Sequence, residues 1–79
     1  MDAARRALGK RVRELRTDQG LSQEQLAERS HMHWTHISGI ERARYDVKLS
    51  TLSRVARGLG VTISELLAGI ETRRVRGSR

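Results

Sequence analysis

Two short strings constrain this chain more than any others, "GLSQEQ" at residues 20–25 and "GVTISE" at 60–65. In each, a glycine suited to the left-handed turn that ends a helix stands just ahead of a capping box. Ser22 with Gln25, and Thr62 with Glu65, then start the next helix. The chain holds no proline, and between these marks its apolar residues recur at the helical period rather than alternating as in a strand. Leu8, Val12 and Leu15 form one stripe of a first helix expected over about 3–18. A second is expected over about 23–29 with Leu26 and Ala27 inward. A third runs from near Trp34 to near Arg42 with Ile37 and Ile40 inward. "ARYDVK" reads as a loop, and Leu49, Leu52, Val55, Ala56 and Leu59 share one face of a fourth helix that Gly60 stops. A fifth runs from Thr62 through Leu66 and Leu67 toward Ile70. The expectation is an all-α, compact five-helix domain over residues 1–70, followed by a basic tail, 71–79, that frays.

Seventy-nine residues hold one small core, and the absence of cysteine removes disulfides and thiolate metal sites. No apolar run approaches the roughly 18 residues of a membrane span, so the expected place is the cytoplasm, away from any membrane. The net charge of +7 favours a polyanionic partner, nucleic acid ahead of an acidic membrane surface. The charge is spread unevenly. Residues 21–40 carry one basic and two acidic side chains, whereas residues 41–60 carry five and two.

Inside the least basic quarter lies "SHMHWTHISGIERAR", residues 30–44, with three histidines and the only tryptophan. A zinc site is disfavoured: His31, His33 and His36 straddle a turn, form no i, i+4 pair, and have no carboxylate or cysteine to complete a set. The better reading is two short helices joined through a tight turn, a helix-turn-helix. Ala27 is small where the helices press together, and the left-handed residue of the turn falls on His31 or Ser30. His33 reads as a substitute N-cap or a solvated turn residue, and Trp34 as either a staple on the core or a contact to a ligand. No enclosed pocket, phosphate loop or acid pair suggests catalysis, and no catalytic residue, metal or cofactor is expected.

"LGKRVRELR", "GLSQEQLAERS", "THISGIER" and "LSTLSRVARGLGVTISELL" together resemble, in order and spacing, the lambda-repressor/Cro-type (XRE) helix-turn-helix regulators, restriction–modification controller proteins among them. The resemblance covers about residues 6–68. It implies a homodimeric, sequence-specific binder of double-stranded DNA that regulates transcription from a palindromic operator. By position it places Gln23 at the DNA backbone or a nearby base, Trp34, Thr35 and His36 at base edges, and Ser38 and Gly39 one turn along. Arg42 would reach a phosphate or guanine, and Arg44, Tyr45 and Lys48 would touch the backbone. Glu41 is assigned an internal ion pair. Ile63, Leu66, Leu67 and Ile70 are the expected dimer interface. The resemblance leaves RNA polymerase or a toxin protein open as further partners, and the alternative function is an antitoxin that binds both toxin and operator.

Overall fold

The computed structural model describes residues 3–70. Their order is α1 (Ala3–Asp18), α2 (Gln23–Ser30), α3 (Trp34–Glu41), α4 (Leu49–Leu59) and α5 (Ile63–Leu66), with no strand among the described residues. The tail expected at 71–79 lies outside them.

Both capping boxes form. Ser22 Oγ accepts from the Gln25 amide at 3.0 Å while Gln25 Oε1 accepts from the Ser22 amide at 2.8 Å. Thr62 and Glu65 repeat the exchange at 3.0 and 2.8 Å. Each box satisfies helix N–H groups that no intrahelical carbonyl can reach.

The helix ends share a second device. After α1, the Gly20 amide donates to Thr17 O and the Leu21 amide to Arg16 O, both at 3.0 Å. The same pair of bonds recurs at His31 and Met32 after α2, at Ala43 and Arg44 after α3, and at Gly60 and Val61 after α4. This is the Schellman pattern, and it requires a left-handed residue at its centre. Gly20, His31, Ala43 and Gly60 hold φ of 69°, 56°, 58° and 73°. The left-handed residue of the helix-turn-helix is therefore His31, and Ser30 remains the last residue of α2.

Leu8, Val12, Leu26, Ala27, Ile37, Ile40, Val55, Ala56, Leu59 and Leu66 form one core. Burying each large aliphatic side chain contributes about 1.5–3 kcal/mol. Gly9 lets α1 close on the end of α3, for a Cβ there would stand 2.6 Å from Ile40 O and 2.7 Å from Glu41 O. No helix among the described residues is long and apolar enough to cross a membrane.

Two expectations are corrected. Leu49 shares the stripe of α4 but is 70% exposed. The buried residues of α4 begin at Val55, so the first turn of the stripe lies outside the core. The fifth helix closes at Leu66 instead of continuing to Ile70. Arg11 caps the carbonyls at this end, donating to Leu66 O at 3.3 Å and to Glu65 O at 2.7 Å. The amide of Ile70 donates instead to Leu67 O at 3.0 Å, a tight turn completed by Gly69 at φ 81°.

Candidate nucleic-acid interface

An ion pair locks the two helices of the motif to α1. Arg16 grips Glu41 with Nε to Oε2 at 2.6 Å and Nη2 to Oε1 at 3.1 Å, and the two side chains are only 12% and 5% exposed. Its remaining nitrogen, Nη1, donates to Leu21 O at 2.7 Å. Gln23 Nε2 donates to the same carboxylate at 3.1 Å. Glu41 is thus the internal partner it was expected to be. Gln23, at the first position of α2, has one of its two amide hydrogens committed to Glu41, which leaves the other hydrogen and the carbonyl oxygen available to a ligand.

Ile37 and Ile40 turn one side of α3 into the core, which leaves positions 34, 35, 38, 39 and 42 along another side. With Arg44 they line an open hollow of about 270 Å³. Arg44 belongs to it because the left-handed Ala43 folds the chain back, holding the Arg44 amide on Gly39 O at 2.9 Å. Arg42 and Arg44 are both exposed, so two guanidinium groups flank the outer end of α3. Trp34 is 44% exposed and lines the hollow's rim, its ring 6.3 Å from that of His33 at an interplanar angle of 28°. Of the two placements open to this tryptophan, the exposed one is occupied.

The other predicted residues gather on a separate flank. His36, Tyr45 and Lys48 line a second hollow of about 360 Å³ with Asp46, Val47 and Thr51. Tyr45 Oη donates to His36 O at 2.8 Å, and the two rings meet edge to face at 5.4 Å. Partial burial raises the Tyr45 phenol above its ordinary pKa by desolvation. Gly39 lines the first hollow without a side chain of its own, and a Cβ on it would lie 2.7 Å from both Tyr45 Cε2 and Oη, so this buried glycine also seats the tyrosine ring. Leu66, expected at a dimer interface, is corrected, since it is fully buried in its own chain's core. Ile63, Leu67 and Ile70 are partly buried against that core.

The three histidines have three separate tasks. His31 makes the left-handed turn, His36 packs on Tyr45, and His33 caps α3 by accepting from the Thr35 amide at Nδ1, 3.3 Å away. Among the described residues no group of three or more His, Cys, Asp or Glu could hold a metal ion. The arginines of α1 divide as well. Arg5 pairs with Asp46 at 3.6 Å, while Arg11 and Arg16 bind carbonyls and a carboxylate. Lys10, Arg6 and Arg13 remain exposed on that helix. Sequence reasoning missed Thr51, whose place beside His36 depends on the path of the loop, and Arg54, which donates to His31 O at 3.4 Å.

Two short helices packed through a tight turn, the second presenting a hydrogen-bonding, arginine-flanked face, form a helix-turn-helix domain. The helix-turn-helix family profile matches residues 12–66. The control protein C.SmaI of Serratia marcescens is 45% identical over 60 residues, 76% of this chain and 71% of that protein. The immunity repressor protein of Bacillus phage phi105 is 40% identical over 65 residues, 82% of this chain and 44% of the repressor, so the chain spans less than half of that relative. The crystal structure of the restriction-modification controller protein C.AhdI from Aeromonas hydrophila aligns with a TM-score of 0.75 at 39% identity, covering 77% of this chain and 92% of that one. The chain belongs to the helix-turn-helix family.

Proposed function

We propose that this chain is a sequence-specific, double-stranded-DNA-binding transcription regulator that acts in the cytoplasm as a homodimer on a palindromic operator, in the manner of the restriction–modification controllers. One observation carries the reading most directly: α3 offers Trp34, Thr35, Ser38 and Arg42 along a single outward side, with Arg44 folded back beside them. An α-helix of this kind fits the major groove, where donors, acceptors and thymine methyls distinguish the base pairs. Arg42, Arg44 and Lys48 are placed to neutralise phosphates, and Gln23 to steady the motif beside the backbone. The family is one of DNA-binding regulators and not of enzymes, and the control proteins among the relatives favour a regulator over an antitoxin.

The test is selection of bound sequences from random double-stranded DNA, with the mass of free and bound protein measured alongside. The expected outcome is a two-fold-symmetric consensus bound by two chains. Monomeric binding with no sequence preference would overturn the proposal.

A further inference from the structure

The N-terminus of the reading helix contains a hydrogen-bond arrangement that fixes the direction in which one side chain can read DNA. His33 Nδ1 lies 3.3 Å from the Thr35 backbone nitrogen and 2.8 Å from Thr35 Oγ1. A backbone N–H can only donate, so its approach makes Nδ1 an acceptor and places the ring proton on Nε2. With Nδ1 unprotonated, the 2.8 Å approach of Thr35 Oγ1 is a hydrogen bond when its single hydrogen points at the same nitrogen, sharing that nitrogen's one lone pair with the amide. What remains on that oxygen is lone pairs. An unrestrained threonine hydroxyl rotates to suit either a donor or an acceptor, and this one is held as an acceptor.

The geometry points to His33 as a positioning residue that restricts Thr35 to hydrogen-bond donors on the DNA, namely the amino groups of adenine and cytosine. The inference rests on the proposal that α3 reads base edges. In the major groove adenine offers N6–H₂ and cytosine N4–H₂, whereas guanine offers only the acceptors O6 and N7 and thymine the acceptor O4 and its methyl group. On the strand Thr35 faces, its hydroxyl therefore selects an amino base over a keto base. Guanine or thymine at that place would set oxygen lone pairs against oxygen lone pairs and leave both unsatisfied. Thr35 is exposed and lines the hollow beside Trp34 and Ser38, where a ligand entering would meet its side chain. The identity of residue 33 thus acts on specificity without that residue touching a base.

Two measurements test this. Nitrogen NMR of the free protein should find His33 Nδ1 unprotonated and Nε2 protonated at neutral pH; a proton on Nδ1 overturns the inference whatever the protein does with DNA. Sequence selection with the wild type and three variants reads the consequence. Thr35→Ala should flatten preference at one base pair per half-site, and at that pair the wild type should favour adenine or cytosine by about fivefold, the worth of one ordinary hydrogen bond. His33→Ala should remove most of that preference while leaving the other positions of the consensus in place. His33→Asn, whose Oδ1 restores an acceptor where Nδ1 stood and is a good cap in its own right, should retain it. Thymine enrichment would show that the Thr35 methyl group faces the groove, and guanine enrichment that its hydroxyl donates; either overturns the inference while leaving DNA reading by α3 intact. Retention of the full preference in His33→Ala also overturns it. A wild type without any preference would instead remove the proposed function itself.

Discussion

At the scale of single residues, the site is organised by side chains that touch each other before they touch a ligand. Tyr45 is an example. It was assigned to the DNA backbone by resemblance, and in the fold it also braces α3 through its bond to His36 O and its seat against Gly39. Burial raises its pKa, so the folded chain holds the phenolic proton more tightly than the unfolded chain does. The sign follows from linkage. Stability from this group is fully present below the unfolded phenol's pKa of about 10 and is lost as pH rises through the higher folded value. Thermal unfolding should show a melting temperature that falls in that alkaline range, and Tyr45→Phe should make the fall shallower. An identical alkaline slope in the variant would show that Tyr45 is not the group responsible.

At the scale of elements, what was legible in the sequence was punctuation by residues with a strong local preference. Gly20, Gly60 and the two capping boxes mark helix boundaries because their chemistry acts within a few residues. Glu41 was assignable to an ion pair by resemblance, but its bond to Gln23 needed the crossing of α1, α2 and α3 to appear. The left-handed turn at Ala43 was not legible, since alanine has no preference for positive φ and the tertiary fold imposes it. The cap on α5 was hidden for a related reason, because Arg11 reaches its carbonyls from 54 and 55 residues away, whereas the left-handed Gly69 that follows is a local signal. Holding an L-residue left-handed costs about 1–2 kcal/mol relative to a conformation it prefers. Glycine avoids that cost but loses somewhat more entropy on folding. Ala43→Gly should therefore stabilise the domain by about 0.5–1 kcal/mol, read as a higher denaturation midpoint. DNA affinity should stay unchanged, because the same pair of hydrogen bonds still returns Arg44 to the side of α3. A lower midpoint would mean that the turn is not a source of strain.

At the scale of the whole molecule, the proposed function depends on two copies, and Leu49 gives the most direct access to that dependence. It is 70% exposed at the start of α4, so a polar replacement removes little packing within one chain. If it lies in the dimer interface, Leu49→Glu places a charge where apolar surface is buried, at a cost that association cannot easily absorb. The variant should remain folded, with a melting temperature near that of the parent at low concentration, yet sediment as a monomer where the parent is a dimer. Its DNA binding should change in a specific way. A single chain retains Arg42, Arg44 and Lys48 but presents half as many cations to the duplex as a pair does. The slope of log K against log salt tracks the number of phosphates neutralised, so it should fall to about half the parental value when binding becomes monomeric. Arg44→Ala, with dimerisation intact, should instead reduce the slope by about one for each chain's lost contact and weaken all sequences alike. The two variants separate the sources of affinity: one removes a partner, the other a phosphate contact within each partner. A Leu49→Glu chain that remains dimeric with an unchanged salt slope would exclude Leu49 from the interface and direct the search to Ile63, Leu67 and Ile70.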